Sequence, residues 1–579
     1  MYLAVVKYEI TAKYPNRHIF EVILKVTHPN PLGQVFQLPS WIPGSYLIRD
    51  FSKHIIDLEA NNGELKSKKI DKNHWIVEPT DSELTLNYSI YAFDPSVRSA
   101  FLSAERGFFN GSSVFLLPLG YDNADFEVKI NLPDKDLVIG NWSIATSMPL
   151  VENKSYTFFA KGYHELIDHP VELADFTAFN FSTEKVNYQM TLSGKHEANI
   201  ESITADLAAI CLHHENFFQE PATKNYLFLN YVKSKGYGGL EHNHSCALIS
   251  SREDLVKIKD GKLNPNYIKF LALCAHEYFH TWWVKRVKPK EFHNPDLTRE
   301  VHTSQLWIYE GFTSYYDELT LLRSKLVSLE EYLTLFSTNI TRYFKSKGRY
   351  RQTLIDSSFD AWTKFYQQDE NAPNAIVSYY NNGALLAFCL DILIRKNKKN
   401  RMSLDTIVKN IWSHHNSIGT DYDCIQEEIK KIDTRNYKEF FDSYLFGKKD
   451  LPIKESLNYL GINLSLENKI SDLESFGMSI DDSGFVKTIY DDSCVQEYGI
   501  YVGDKIISMN YEEKTPKELV SGIYSINDGE IIKFGIIRDS LLMEIPVKKY
   551  LLEPFHAKLE IITDIPQEQK ENLNHWITG

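Results

Sequence analysis

Leu271-Ala-Leu-Cys-Ala-His276-Glu277-Tyr-Phe-His280 decides the reading of this chain. Two imidazoles stand four residues apart, and a carboxylate follows the first. On a helix, residues i and i+4 share one face a turn apart, so His276 and His280 can grip one zinc ion while Glu277 reaches a water beside it. Working outward, Asn264-Pro265 is a cap followed by a proline at the first helical position. Ile268, Leu271, Ala272, Ala275, Phe279 and Trp283 then recur at i, i+3, i+4 spacing. The two histidines lie on that apolar stripe and face an interior. The same pentapeptide also arises by chance in a long helical chain with 19 histidines. Two interior imidazoles in register beside a carboxylate are nevertheless hard to accommodate unless something binds them.

A catalytic zinc takes three protein ligands and keeps one position open for water. The next carboxylate in a suitable setting is Glu310, near the start of the helical stretch Leu306-Trp-Ile-Tyr-Glu310-Gly311-Phe312. By itself such a glutamate reads equally well as a solvated first-turn acid. After the histidine pair it reads as the third ligand, and the chain as a zinc hydrolase.

Four motifs together resemble one known family. Tyr237-Gly238-Gly239-Leu240-Glu241-His242, the His276–His280 motif with Trp283-Val-Lys285-Arg286, Leu306-Trp-Ile-Tyr-Glu310-Gly311, and Tyr380-Asn-Asn-Gly383-Ala384 occur in the order found in the glycyl aminopeptidases. Those are zinc peptidases with a PDZ domain, distantly related to the alanyl aminopeptidases. Trp41-Ile-Pro43-Gly44-Ser45-Tyr46-Leu-Ile-Arg49-Asp-Phe51 is similar to an N-terminal signature of the same family, so the resemblance covers residues 1 to about 550. The 29 residues between His280 and Glu310 exceed the spacing of the alanyl aminopeptidases and imply an additional loop near the site.

The resemblance implies roles for the remaining residues. Gly238 and Gly239 belong to a substrate-binding loop in which Glu241 takes the free α-ammonium of a peptide. A carboxylate suits that task, because a partly dehydrated ammonium needs an opposite charge; read alone, the stretch is an ordinary glycine turn. Tyr380 is implied as the phenol that donates to the oxyanion formed on the scissile carbonyl. The adjacent Tyr379 has the same chemistry, so the choice rests on alignment. Lys285 and Arg286 read as solvated partners of a helix C-terminus and are left outside the site. The expected activity is removal of small N-terminal residues, Gly or Ala by resemblance, with one zinc per chain and Glu277 as general base. The alternatives are a PDZ-guided zinc endopeptidase, in which Glu241 is a turn residue, and a noncatalytic peptide-binding protein, which would be expected to have lost a ligand or the base.

Composition is compatible with these readings. The 579 residues suggest three to four domains, and 43% hydrophobic with 24% charged residues is ordinary for a globular protein. A balance of 77 acidic against 63 basic residues argues against nucleic acid or an anionic membrane surface as partner. There is no apolar run of membrane-spanning length and no secretory leader pattern, so the expected location is cytoplasmic. Six scattered cysteines read as buried thiols. Self-association through the PDZ or the N-terminal domain is left open.

The expected fold is multidomain α+β. Residues 1–165 alternate short apolar runs with turn clusters and read as an N-terminal all-β domain. Residues 166–455 read as a thermolysin-like catalytic domain with a helical bundle, and Arg395-Lys-Asn-Lys-Lys-Asn-Arg401 within them as a solvated loop. Residues 456–555, with Gly484, Gly499 and Gly503 between short β-prone runs, resemble a PDZ domain, and 556–579 is expected as a C-terminal tail. A fragment ending near residue 460 is therefore expected to keep its zinc ligands and general base.

Overall fold

Over Val5–Tyr14 alternate side chains (Val6, Tyr8, Ile10, Ala12) are buried, and Ile19–Val26 repeats the pattern with Phe20, Val22, Leu24 and Val26. Period two is what a strand with one covered face requires. The two strands pair antiparallel within a six-stranded sheet of order Thr157–Lys161, Asp125–Asn131, Val5–Tyr14, Ile19–Val26, Leu84–Tyr91, Ile55–Ala60. Two four-stranded sheets complete a β-rich N-terminal domain. The computed structural model describes residues 5–415, 418–468 and 473–579. It divides into two compact units, Met1–Val301 with Trp412–Thr420, and His302–Ile411 with Asp421–Gly579. The division runs through the stretch 166–455 that the sequence suggests as one domain.

The first unit continues into a five-stranded sheet built from β1 (Phe176–Ser182), β2 (Asn187–Ser193), β3 (Asn225–Lys233), β4 (Gly238–Glu241) and β5 (Ser245–Ser251), in the order β1-β2-β3-β5-β4. Strands β2, β3 and β5 run parallel, with helix α1 (Ile200–Phe218) crossing between β2 and β3. Gly238-Gly239-Leu240-Glu241 is therefore an edge strand, paired antiparallel with β5, and not the turn that its glycines suggest. Helix α2 (Pro265–Phe279) begins where Asn264-Pro265 predicts. The Asn264 side chain accepts from the Asn266 N–H at 3.0 Å, and Pro265 opens the first turn. The helix ends earlier than its apolar period, with His280 as C-cap.

In the second unit α3 (Leu306–Arg323) packs against α4 (Asn381–Lys398) through glycine. A Cβ on Gly311 would stand 2.7 Å from the Gly383 Cα, and one on Gly383 would stand 2.9 Å from the Trp307 carbonyl oxygen. Only hydrogen fits on either side of that crossing.

Beyond α4 the chain carries a small module. Met478–Ile480, Val486–Ile489, the helical turn Cys494–Glu497, Lys505–Met509, helix Pro516–Tyr524 and the hairpin Ile531–Arg538/Leu541–Lys548 enclose Phe476, Ile506, Phe534 and Ile536. Residues 556–579 are not a tail. His556–Ile561 pairs with Ile462–Glu467, and α5 (Gln567–Thr578) buries Trp576 completely. The Trp576 indole donates to the Tyr315 hydroxyl of α3 at 2.9 Å, Arg395 of α4 donates to the His575 carbonyl at 3.1 Å, and Arg323 to the Trp576 carbonyl at 3.1 Å. Arg395 is thus 1% exposed and ion-paired with Asp391, which corrects its reading as part of a solvated loop. The helix runs through Lys398 because buried carboxylates hold its C-terminal arginine.

Candidate active site

At the end of α2 the Nε2 atoms of His276 and His280 lie 3.1 Å apart, with their rings at 89°. His280 is 1% exposed, and its Nδ1 donates to the Trp283 carbonyl at 2.8 Å. That bond fixes the tautomer and leaves the Nε2 lone pair for an electrophile. Two ring nitrogens brought this close are a donor set for a divalent cation, and the residues present fit zinc. The Trp283 carbonyl is aimed by a strained turn. Val284 stands at φ +102°, rarely occupied by a β-branched residue, with its N–H on the Val287 carbonyl at 2.8 Å.

Glu277 is 4% exposed and points at the edge strand. A Cβ on Gly239 would fall 2.0 Å from its Oε1, so a side chain there and the carboxylate could not both hold these positions. Two residues along β4, Glu241 is 5% exposed and lies against Gly44 of the N-terminal signature. Gly44 has φ +90°, and a Cβ there would stand 2.4 Å from Glu241 Oε1. The same signature meets the long stretch after α2. Ser40 N–H donates to the Leu297 carbonyl at 2.7 Å, the Trp41 indole to the Asp296 carbonyl at 3.0 Å, and Tyr46 stacks on Phe292 at 5.5 Å. The sequence resemblance marks the signature without giving its task; the structure shows it packing on both the Glu241 carboxylate and the extra loop.

Lys285 and Arg286 are not solvated helix-end charges. Lys285 is 8% exposed, and its Nζ donates to Asp168 at 2.7 Å. Asp168 also takes His242 Nδ1 at 3.1 Å and the Asn243 side-chain amide at 2.6 Å. Burial pushes the Asp168 carboxyl up, but Lys285 and His242 outweigh it and hold it well below the usual carboxylate range. Arg286 donates to the Thr281 carbonyl at 2.6 Å. Asp168 thereby ties the turn after Glu241 to the turn after His280, a role nothing local in the sequence signals.

In the second unit, Glu310 is the fifth residue of α3 and 2% exposed, which removes the reading as a solvated first-turn acid. Tyr380 caps α4 and stacks on both Tyr379 (4.7 Å) and Phe365 (5.6 Å). Its phenol is held well above its ordinary pKa, first by burial and next by the negative charge of Glu310. Tyr379 is wholly buried, whereas Tyr380 is partly exposed. The Gly311/Gly383 crossing, one residue from Glu310 and three from Tyr380, is what lets the two side chains sense each other.

Residues 7–175 match the Peptidase M61 N-terminal domain model, and residues 269–386 match the M61 glycyl aminopeptidase model. An aminopeptidase N family protein from Idiomarina loihiensis is 35% identical, with a TM-score of 0.94 over 99% of this chain and 100% of that one. The chain belongs to the M61 glycyl aminopeptidase family. It is accordingly a zinc metallo-aminopeptidase by class. An M1 zinc metallopeptidase from Deinococcus radiodurans also matches, at 12% identity and a TM-score of 0.48 over 78% of this chain and 95% of that one. No curated protein sequence matches. In this M61 chain all six cysteines are buried free thiols, and among the described residues no helix is long and apolar enough to cross a membrane.

Proposed function

We propose that this M61 peptidase removes single small residues, Gly or Ala first, from the free N-termini of peptides, using one zinc per chain held by His276, His280 and Glu310. Two imidazoles and a carboxylate are residue types that hold a catalytic zinc. The observation that carries the reading is the convergence of two Nε2 atoms at 3.1 Å on a helix whose Glu277 faces Gly239, a residue without a side chain, on the edge strand. Bound there, zinc would supply Lewis acidity, lowering the pKa of water and polarising a carbonyl. Glu277 takes the proton of the attacking water and passes it to the leaving amine. Tyr380, a phenol kept neutral by burial and by Glu310, donates to the oxyanion as it forms. Glu241 pairs with the substrate α-ammonium and so selects the first peptide bond. The module at 473–548, short strands and three short helices around one small core, supports the PDZ-like reading and a role in presenting peptides.

Chelation is expected to abolish hydrolysis of Ala-p-nitroanilide and zinc to restore it. Glu277→Gln should retain zinc while losing at least about 10²-fold in kcat. N-acetylated substrates should be cleaved at least about 10²-fold more slowly than free ones, because they leave Glu241 dehydrated without a partner. Full activity in metal-free protein would overturn the reading; equal cleavage of free and acetylated peptides would instead establish an endopeptidase.

A further inference from the structure

Arg98 lies in the N-terminal β domain on the segment leading into the strand Ala100–Leu102, and its side chain reaches β4. Its Nη2 donates to the Gly239 carbonyl at 3.3 Å, and its Nη1 stands 3.9 Å from where a Gly238 Cβ would be. Among the described residues it has no carboxylate partner, and its Nε is buried without an acceptor. Acidic residues outnumber Lys and Arg by 77 to 63 in this chain, and most of its buried cations are paired, as Arg106 is with Glu172 at 2.6 Å and Lys285 with Asp168 at 2.7 Å. A guanidinium carries five donors in a planar fork that suits a carboxylate, so one neutral carbonyl leaves most of its capacity unused.

The position tells which carboxylate is meant. Gly239 faces Glu277, and Glu241 lies two residues along the same edge strand. On the reading proposed above, the substrate's first residue spans the distance between the amine site and the general base, alongside Gly239. We propose that Arg98 reads a carboxylate on the side chain of that first residue, so that the enzyme accepts Asp-first and Glu-first peptides and prefers them to their neutral amide isosteres. Glycines at 238 and 239 leave the strand without side chains between Arg98 and the substrate. Arg98 is a specificity-determining residue; it takes no part in proton transfer.

The inference rests on Glu241 and Glu277 having the roles given above, and the test separates the two. With the zinc-loaded full-length enzyme, kcat/KM is measured for Asp-, Asn-, Glu-, Gln- and Ala-p-nitroanilide. The Asp/Asn and Glu/Gln ratios are expected at about 10 to 10² at low salt, the scale of a hydrogen bond to a charged group, and should shrink as salt is added. In Arg98→Gln both ratios should fall to near one. Free L-aspartate should also inhibit the unmutated enzyme more strongly than L-asparagine, which tests the idea without a variant. Ratios of one or below in the unmutated enzyme, or ratios retained in Arg98→Gln while all rates fall together, would overturn it and leave Arg98 as a brace for Gly239. No hydrolysis of any substrate would count against the aminopeptidase reading, and calorimetric binding of free L-aspartate against L-asparagine to the zinc-loaded enzyme, tighter for aspartate only if Arg98 reads the carboxylate, would still decide Arg98.

Discussion

Gly44 is where a single hydrogen atom matters most to selectivity. It stands at φ +90° with the Glu241 carboxylate in the space a Cβ would take, at 2.4 Å. Gly44→Ala must therefore strain its own backbone and push Glu241 away from its place. If Glu241 holds the α-ammonium, kcat/KM on free N-termini should fall about tenfold or more, while the slow rate on acetylated substrates stays put. Comparing the two rates checks this, and an unchanged ratio would mean that the carboxylate adapts. The histidines and Glu277 were legible because their chemistry is local, with spacing along one helix stating the geometry. The neighbours that orient them were not. A carbonyl such as that of Trp283 belongs to every residue and leaves no mark in the sequence, and Asp168 meets Lys285, His242 and Asn243 only after the chain has folded.

Among the elements, α2 shows how far periodicity reaches. Its start follows from Asn264-Pro265, whose cap chemistry is local, but its end does not follow from the apolar stripe. The stripe runs on to Trp283 because Trp283 is still buried, while the backbone has already turned through Val284. Strand β4 fails in the other direction. Two glycines read as a turn, yet pairing with β5 makes them a strand, and the missing side chain of Gly239 leaves room for Glu277. The crossing of α3 and α4 was legible as two motifs, Glu310-Gly311 and Tyr380-x-x-Gly383, but not as one contact. Gly383→Ala places a methyl 2.9 Å from both the Gly311 Cα and the Trp307 carbonyl oxygen, both backbone atoms with no rotamer to yield. Overpacking of this kind costs about 1–3 kcal/mol. The variant is expected to melt several degrees lower and to lose turnover through displacement of Tyr380 from Glu310. Calorimetry with kcat measured well below Tm separates the two effects, and wild-type values for both would show that the helices can slide apart freely.

At the scale of the molecule, the last helix is the part the sequence conceals most. Its composition, Gln567-Glu-Gln-Lys-Glu-Asn, is polar enough to pass for a tail, and a single tryptophan carries its burial. Around that tryptophan the second unit assembles a network of buried charge. Arg395 pairs with Asp391, Arg323 with Asp405 at 3.0 Å, Tyr315 donates to Asp391 at 2.8 Å, and both arginines also donate to carbonyls of α5. Arg395 reads as surface in sequence because its partners lie from four to 180 residues away. Buried ions left with fewer acceptors are costly, so α5 stabilises α3 and α4 as much by completing this network as by apolar contact. The consequence bears on truncation. A chain cut near residue 460 retains every proposed ligand and the base, yet it loses α5, so it is expected to be insoluble or to melt far below the full-length enzyme, not to persist as a zinc-loaded fragment. Trp576→Ala isolates the cause. Removing that side chain should cost about 3–5 kcal/mol, the usual range for a buried aromatic, and leave the Tyr315 hydroxyl without its donor. Denaturant unfolding of the full-length variant measures it. A loss below about 1 kcal/mol, or a truncated chain that binds zinc and melts like the whole, would show that α3 and α4 hold Glu310 and Tyr380 without the C-terminal helix.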